Sequence, residues 1–213
     1  MSGTITVKGV GTAKTKPDYV EVTLNLNGKN MDYVAAVNEA NEKIEKLQNA
    51  IIAVGYAKDD LKTLNFSANT NYEYDHGKQQ FKGYVCNYRL KLGFDFNAEA
   101  LEKTLTAIAN SGADAEFSVG FSVKEPEKVS EELLISATEN ARKKAEVLCK
   151  ASGKTLGELV SVDYNWGEIQ MFSQSNYALA AAPRMMKAEA AIPDFTPDDI
   201  SSNDTVTFVW EIK

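Results

Sequence analysis

The amino-acid sequence predicts a mixed fold of strands and helices in the order ββαββαβαββ, with one long β-hairpin. Three observations predict it. Val20, Val22, Leu24 and Leu26 alternate strictly with Glu21, Thr23, Asn25 and Asn27, the pattern of a half-buried strand. Val34, Val37, Ala40, Ile44, Leu47 and Ile51 then recur every three or four residues, the period of an amphipathic helix. Finally, residues 61–74 and 81–96 read as two long strands on either side of Asp75-His76-Gly77-Lys78, whose composition is that of a hairpin turn.

The elements follow in order. Residues 4–13 alternate as a strand, and Gly9 and Gly11 mark a bulge or a close backbone contact within it. Pro17-Asp18 turns the chain into the strand of Val20–Leu26. The first helix spans 30–54, with Asn30 as its N-cap and Gly55 as its C′ residue. In the second hairpin strand Tyr84, Cys86, Tyr88, Leu90 and Leu92 share one face, and arms this long are expected to project beyond the body of the domain. A second helix runs over 98–110, with Leu101, Leu105 and Ile108 inward and Ser111-Gly112 ending it. A strand at 115–123 precedes a third helix at 125–151. Its inward stripe reads Val129, Leu133, Ala137, Ala141, Ala145 and Leu148, and the alanines permit close approach to a sheet or a neighbouring helix. A strand begins at 159, residues 172–195 are irregular, and Val206, Phe208, Trp210 and Ile212 alternate as the last strand.

Composition narrows the class. The chain has 213 residues, 44 % of them hydrophobic and 25 % charged, which suits a folded domain. It reads as one domain over 1–213, loosely divided into halves 1–96 and 97–213. The formal charge is −7 and the pI about 4.9, so a nucleic-acid partner is not expected, because counterion release needs a basic face. No apolar run approaches the length of a membrane-spanning helix. The start, Met1-Ser2-Gly3-Thr4-Ile5, has no charged or apolar leader, so a cytoplasmic location is expected.

Candidate chemistry is sparse. Gly9-Val10-Gly11 resembles the start of a dinucleotide fingerprint, but Lys14 stands where the third glycine belongs, and Pro17 and a strand follow where a helix should open. Glu73, Asp75 and His76 could hold a metal or move protons. Neighbouring side chains on a turn seldom converge, so an exposed turn is the better reading. Asp59-Asp60 and Asp198-Asp199 read as caps or turns. Cys86 and Cys149, each among apolar neighbours, read as buried thiols rather than a disulfide or a reactive pair. With His76 the only histidine, a Ser-His-Asp or Cys-His device has almost no candidate base. No catalytic, cofactor-binding or metal-ligating residue is expected, and no cofactor. The stretch from Met171 to Ile192, with Phe172, Tyr177, Leu179, Met185 and Met186 and few charges, is either a subunit contact or mobile binding loop, or an Ala/Ser-rich linker; both readings stay open.

The order of motifs resembles the SIMPL-domain family, which includes bacterial periplasmic immunogenic proteins and their cytoplasmic relatives. Val7-Lys8-Gly9-Val10-Gly11 followed by Pro17-Asp18 is similar to that family's glycine-rich first strand and turn. Val54-Gly55-Tyr56 leading to Asp60-Leu61-Lys62-Thr63 resembles its helix–Gly–Thr passage, and Tyr72 with the strand from Tyr84 to Leu92 looks like its long hairpin. Ala137-Thr138, Asn140-Ala141-Arg142-Lys143-Lys144-Ala145 and Gly153-Lys154-Thr155-Leu156-Gly157 are similar to its alanine-rich helix and the Leu-Gly beyond. The resemblance implies an α+β fold of antiparallel β-sheets with the three helices packed on one side. It also implies homo-oligomers, some of them rings, and a general link to stress tolerance and the cell envelope. It brings no catalytic residues.

The first expectation for function is therefore a non-enzymatic, self-assembling protein. Its candidate contacts are Tyr72, Tyr74, Phe81 and Tyr84 on the hairpin, and Phe172, Tyr177, Leu179, Met185 and Met186 in the irregular stretch. The second is a binding module for a small apolar ligand or a protein, with a pocket rimmed by Tyr72, Tyr74 and Trp166. The third is a hydrolase or redox enzyme built on His76 or a cysteine.

Overall fold

The structure, a computed structural model, describes residues 3–75, 77–165, 171–173, 175, 177–179 and 195–213. Among the described residues, three helices and two antiparallel sheets form the α+β fold that was expected. A short strand, Tyr177–Leu179, is added to the predicted order. The chain gathers into two units, each drawing on both halves of the sequence: Met1–Pro17, Val123–Gln174 and Asp198–Lys213 form the first, Asp18–Ser122 and Ser175–Pro197 the second.

The first unit is a three-stranded sheet with one helix. Its strands are β1 (Gly3–Thr15), β6 (Leu156–Asp163) and β8 (Ile200–Ile212), in the order β1-β8-β6, and α3 (Pro126–Ala151) packs on β1 and β8. The buried stripe of α3 falls at Val129, Leu133, Ala137, Ala141, Ala145 and Cys149, strictly every fourth residue. Cys149 thus takes the inward place predicted for Leu148, which is exposed. The reason is geometric: a fixed step of four keeps to one row of the helix surface, and that row follows β1.

β1 pairs with β8 without a register break from Gly3↔Ile212 to Thr15↔Ile200, so its glycines do not ease a bulge. They admit the helix. A β-carbon on Gly9 would lie 2.1 Å from the Ala137 carbonyl oxygen, and one on Gly11 would lie 2.0 Å from that of Leu133. Val7, Val206, Phe208 and Trp210 complete this core, with the Phe208 and Trp210 rings stacked at 5.2 Å. Met171, placed by sequence in the irregular stretch, is buried with Val123, Val129, Leu133 and Ile200, so it serves the interior.

The second unit is a five-stranded sheet. β2 (Tyr19–Asn30), β3 (Leu61–Asp75), β4 (Lys78–Asp95), β5 (Glu116–Ser122) and β7 (Tyr177–Leu179) lie in the order β3-β4-β2-β5-β7. α1 (Tyr33–Ala53) and α2 (Ala98–Asn110) cover one face, where Leu47, Ile51, Leu101, Leu105 and Ile108 meet Val20, Val22, Leu24, Leu90 and Phe121. The N-cap of α1 is Asp32, not Asn30: its carboxylate accepts from the Ala35 amide at 2.9 Å, while Asn30 accepts from the Asp32 amide. Val34 is accordingly exposed, and Ala36 begins the buried row. Asp60 is a turn residue, accepting from the Ala57 amide at 2.8 Å. Phe195 is buried in this core, at 6.3 Å from the ring of Phe121.

Candidate functional site

β2 ends at Asn30, opposite Tyr84 of β4. Beyond that point, among the described residues, β3 and β4 pair only with each other, from Tyr72↔Phe81 to Asp75↔Lys78. A two-stranded ribbon is marginal in water by itself. Its root is pinned at Gly83, whose φ is +93° and where a β-carbon would stand 2.2 Å from the Asn30 carbonyl oxygen. Only glycine meets both conditions.

The arm carries a chain of rings. Tyr33, at the first turn of α1, meets Tyr84 edge-on at 5.6 Å; Tyr84 meets Phe81 at 5.5 Å; Phe81 meets Tyr72 at 5.5 Å. Such contacts stabilise by about 0.5–1.5 kcal/mol each and hold the rings in place. They leave much of the surface in water: Tyr72 is 47 % exposed, Phe81 40 % and Tyr74 78 %. Met31 (64 %), Tyr33 and Val34 (60 %), at the start of α1, add to the exposed apolar surface beside Tyr84. Sequence reasoning placed Val34 in the inward stripe of α1 and did not single out Met31 or Tyr33; the buried row of the helix starts instead at Ala36.

The other predicted contacts are not brought to this patch. Phe172 belongs to the first unit and is half exposed. Tyr177 and Leu179 lie on β7, opposite Val119 and Phe117 of β5. Met185, Met186, Trp166 and His76 lie outside the described residues, and with them the proposed pocket rim and part of the Glu73-Asp75-His76 cluster.

The chemistry of the described residues is quiet. No three His, Cys, Asp or Glu side chains among them could share a metal ion. Cys86 and Cys149 are free, buried thiols. Burial pushes the Cys86 thiol up, away from the thiolate that would react. Burial likewise raises Tyr56 and Tyr88, and the hydrogen bond to Asp204 raises Tyr164. None of these moves brings a group toward the neutral range a general base needs. Among the described residues no helix is long and apolar enough to cross a membrane.

An α+β fold of helix-backed sheets with an aromatic arm is the class the geometry defines. The profile of the SIMPL family, described as proteins of unknown function (DUF541), matches residues 5–210, and the chain belongs to that family. It is 25 % identical over 187 residues to the uncharacterized protein YggE of Escherichia coli K12, covering 88 % of this chain and 72 % of that one. The YggE proteins of Escherichia coli O157:H7 and Shigella flexneri match to the same extent.

Proposed function

We propose that this protein is a non-enzymatic, self-assembling SIMPL-domain protein in which the hairpin arm makes the contact between copies. The observation that supports it is the ring chain from Tyr33 through Tyr84 and Phe81 to Tyr72, half exposed on a ribbon that has lost its third strand. Exposed aromatic surface of this kind gains by burial against a protein partner. A second copy supplies the same surface in every cell that makes the first, and closed symmetric assembly is the common outcome. In this reading the arm's geometry is the function, and tolerance to stress or support of the envelope follows from the assembly.

The test is the mass of the purified chain by sedimentation and light scattering across concentration, beside the double variant Tyr72→Ser, Phe81→Ser. The expected outcome is an oligomer that the variant splits into smaller species with an unchanged circular dichroism spectrum. A chain that stays monomeric up to high micromolar concentration overturns the proposal.

A further inference from the structure

The face of the five-stranded sheet opposite α1 and α2 carries a polar cleft of about 280 Å³, lined by Asn25, Asn27, Asn65, Asn87, Arg89 and Glu116 together with Leu26 and Tyr88. The pairing registers place these residues in rows. Asn65 stands opposite Arg89, Arg89 opposite Asn25, and Asn25 opposite Glu116, so one row crosses β3, β4, β2 and β5. Ser67, Asn87 and Asn27 form the next row. Asparagine is depleted in strands because its amide competes with the backbone. Four of them on three adjacent strands therefore run against local preference, and such a conflict needs a compensating gain.

The charges are placed as unusually as the amides. Further along the same face, Glu21 and Lys91 neutralise each other at 3.1 Å. Arg89 and Glu116, by contrast, make no ion pair with each other or with any other described residue. They are two strands apart, about 10 Å at the ladder spacing. The face thus offers a guanidinium fork at one end, a carboxylate at the other, and between and beside them amides that both donate and accept.

We propose that this cleft binds short zwitterionic peptides, with the ligand's carboxylate on Arg89, its ammonium on Glu116, and its peptide groups on the side-chain amides of Asn25, Asn27, Asn65 and Asn87. Charge complementarity sets the orientation, and the length fits: three extended residues span about 10 Å. The inference is independent of self-assembly and stands for a monomer as well.

The experiment is a nitrogen–proton correlation spectrum of the labelled full-length chain, titrated at low salt with triglycine, with the same peptide acetylated and amidated, and with maltotriose. Triglycine is expected to shift the side-chain amides of the four asparagines and the Arg89 Nε signal along saturable curves in the millimolar range. Arg89→Ala and Glu116→Gln, both at exposed positions, are each expected to weaken binding about fivefold, the upper range for an exposed ion pair. Equal shifts from the blocked peptide, saturation by maltotriose instead, or no shift at these residues would each overturn the assignment.

Discussion

Each unit clasps a helix against the bare margin of a strand, and the two clasps match residue for residue. In the second unit β2 runs on past the end of β5, leaving its last residues open on one side. There Lys43 of α1 donates to the Asn27 carbonyl at 2.7 Å, Glu39 accepts from the Lys29 amide at 3.2 Å, and Gly28 admits Ala36 and Ala40. In the first unit β1 is the sheet's edge. Lys144 of α3 donates to the Lys8 carbonyl at 3.1 Å, Asn140 accepts from the Val10 amide at 3.1 Å, and Gly9 admits Ala137 and Ala141. Four residues of helix rise about 6 Å and two of strand about 6.7 Å, so the side chains of one keep step with the backbone groups of the other. An unpaired edge invites association with another chain, and both clasps close it.

The difference lies in distance along the chain. Glu39 is 10 residues from Lys29, whereas Asn140 is 130 from Val10. By the loop-closure relation the longer connection costs about 2 kcal/mol more. The remote clasp is also the more heavily built: it has a second glycine seat at Gly11, and Ser136 accepts a further bond from the Thr12 amide at 3.3 Å. The clasp whose halves lie farther apart in sequence thus carries the larger set of contacts.

The glycine seats give the largest expected effect. Gly9→Ala or Gly11→Ala sets a methyl group against helix backbone, which cannot move aside as a side chain can. Each is expected to cost about 3 kcal/mol or more in urea unfolding followed by circular dichroism. Gly28→Ala, with its β-carbon 2.2 Å from the Ala36 carbonyl oxygen, is expected to cost as much. A loss below about 1 kcal/mol at any of the three would break the equivalence of the two clasps.

A smaller effect separates acceptor from bulk at the strand margin. Asn140→Asp keeps an oxygen for the Val10 amide and is expected to be nearly neutral, since Glu39 fills the same place with a carboxylate. Asn140→Leu removes that acceptor and is expected to cost about 1 kcal/mol. If the two variants unfold at the same urea concentration, the side chain does not guard the edge.

The fold was legible where burial sets the period. The strand from Val20 to Leu26 and the helix stripe at Leu101, Leu105 and Ile108 are where the alternation and the helical spacing put them. The clasps were not legible as a repeat, for a physical reason. The helix halves are offset by +101, from Ala36, Glu39, Ala40 and Lys43 to Ala137, Asn140, Ala141 and Lys144. The strand halves are offset by −19, from Asn27, Gly28 and Lys29 to Lys8, Gly9 and Val10. No single period relates the copies, so only the folded chain aligns them. The patch was half legible: Tyr72, Phe81 and Tyr84 carry ring types that mark a contact, but Val34 fits the helical period of the core until the buried row is seen to start at Ala36. The rows of the polar cleft depend on strand register, and the sequence does not state which strands are neighbours.

The finest distinction between the clasps is their response to acid. Glu39 is held below the usual carboxylate range chiefly by the hydrogen bond from the Lys43 ammonium, 2.9 Å away, and further by the Lys29 amide; burial opposes both. Asn140, its counterpart, does not titrate. A carboxyl whose pKa is lower in the folded chain adds stability above its unfolded value, and that contribution is lost as pH falls through the folded value. The second unit's clasp should therefore weaken as pH falls below the ordinary glutamate value of about 4.3 and on through the lower folded value, while Asn140 gives the first unit's clasp no such response. Because Glu39 is partly exposed, solvent screening keeps the effect small. Glu39→Gln removes the titration, so the native chain is expected to lose more stability than this variant across that interval, measured as the shift in urea midpoint. Parallel curves for the two proteins would show that the charge on Glu39 contributes nothing to folding, leaving the shared core, the Lys43–Asn27 hydrogen bond and the packing of Gly28 against Ala36 and Ala40 to hold α1 to β2.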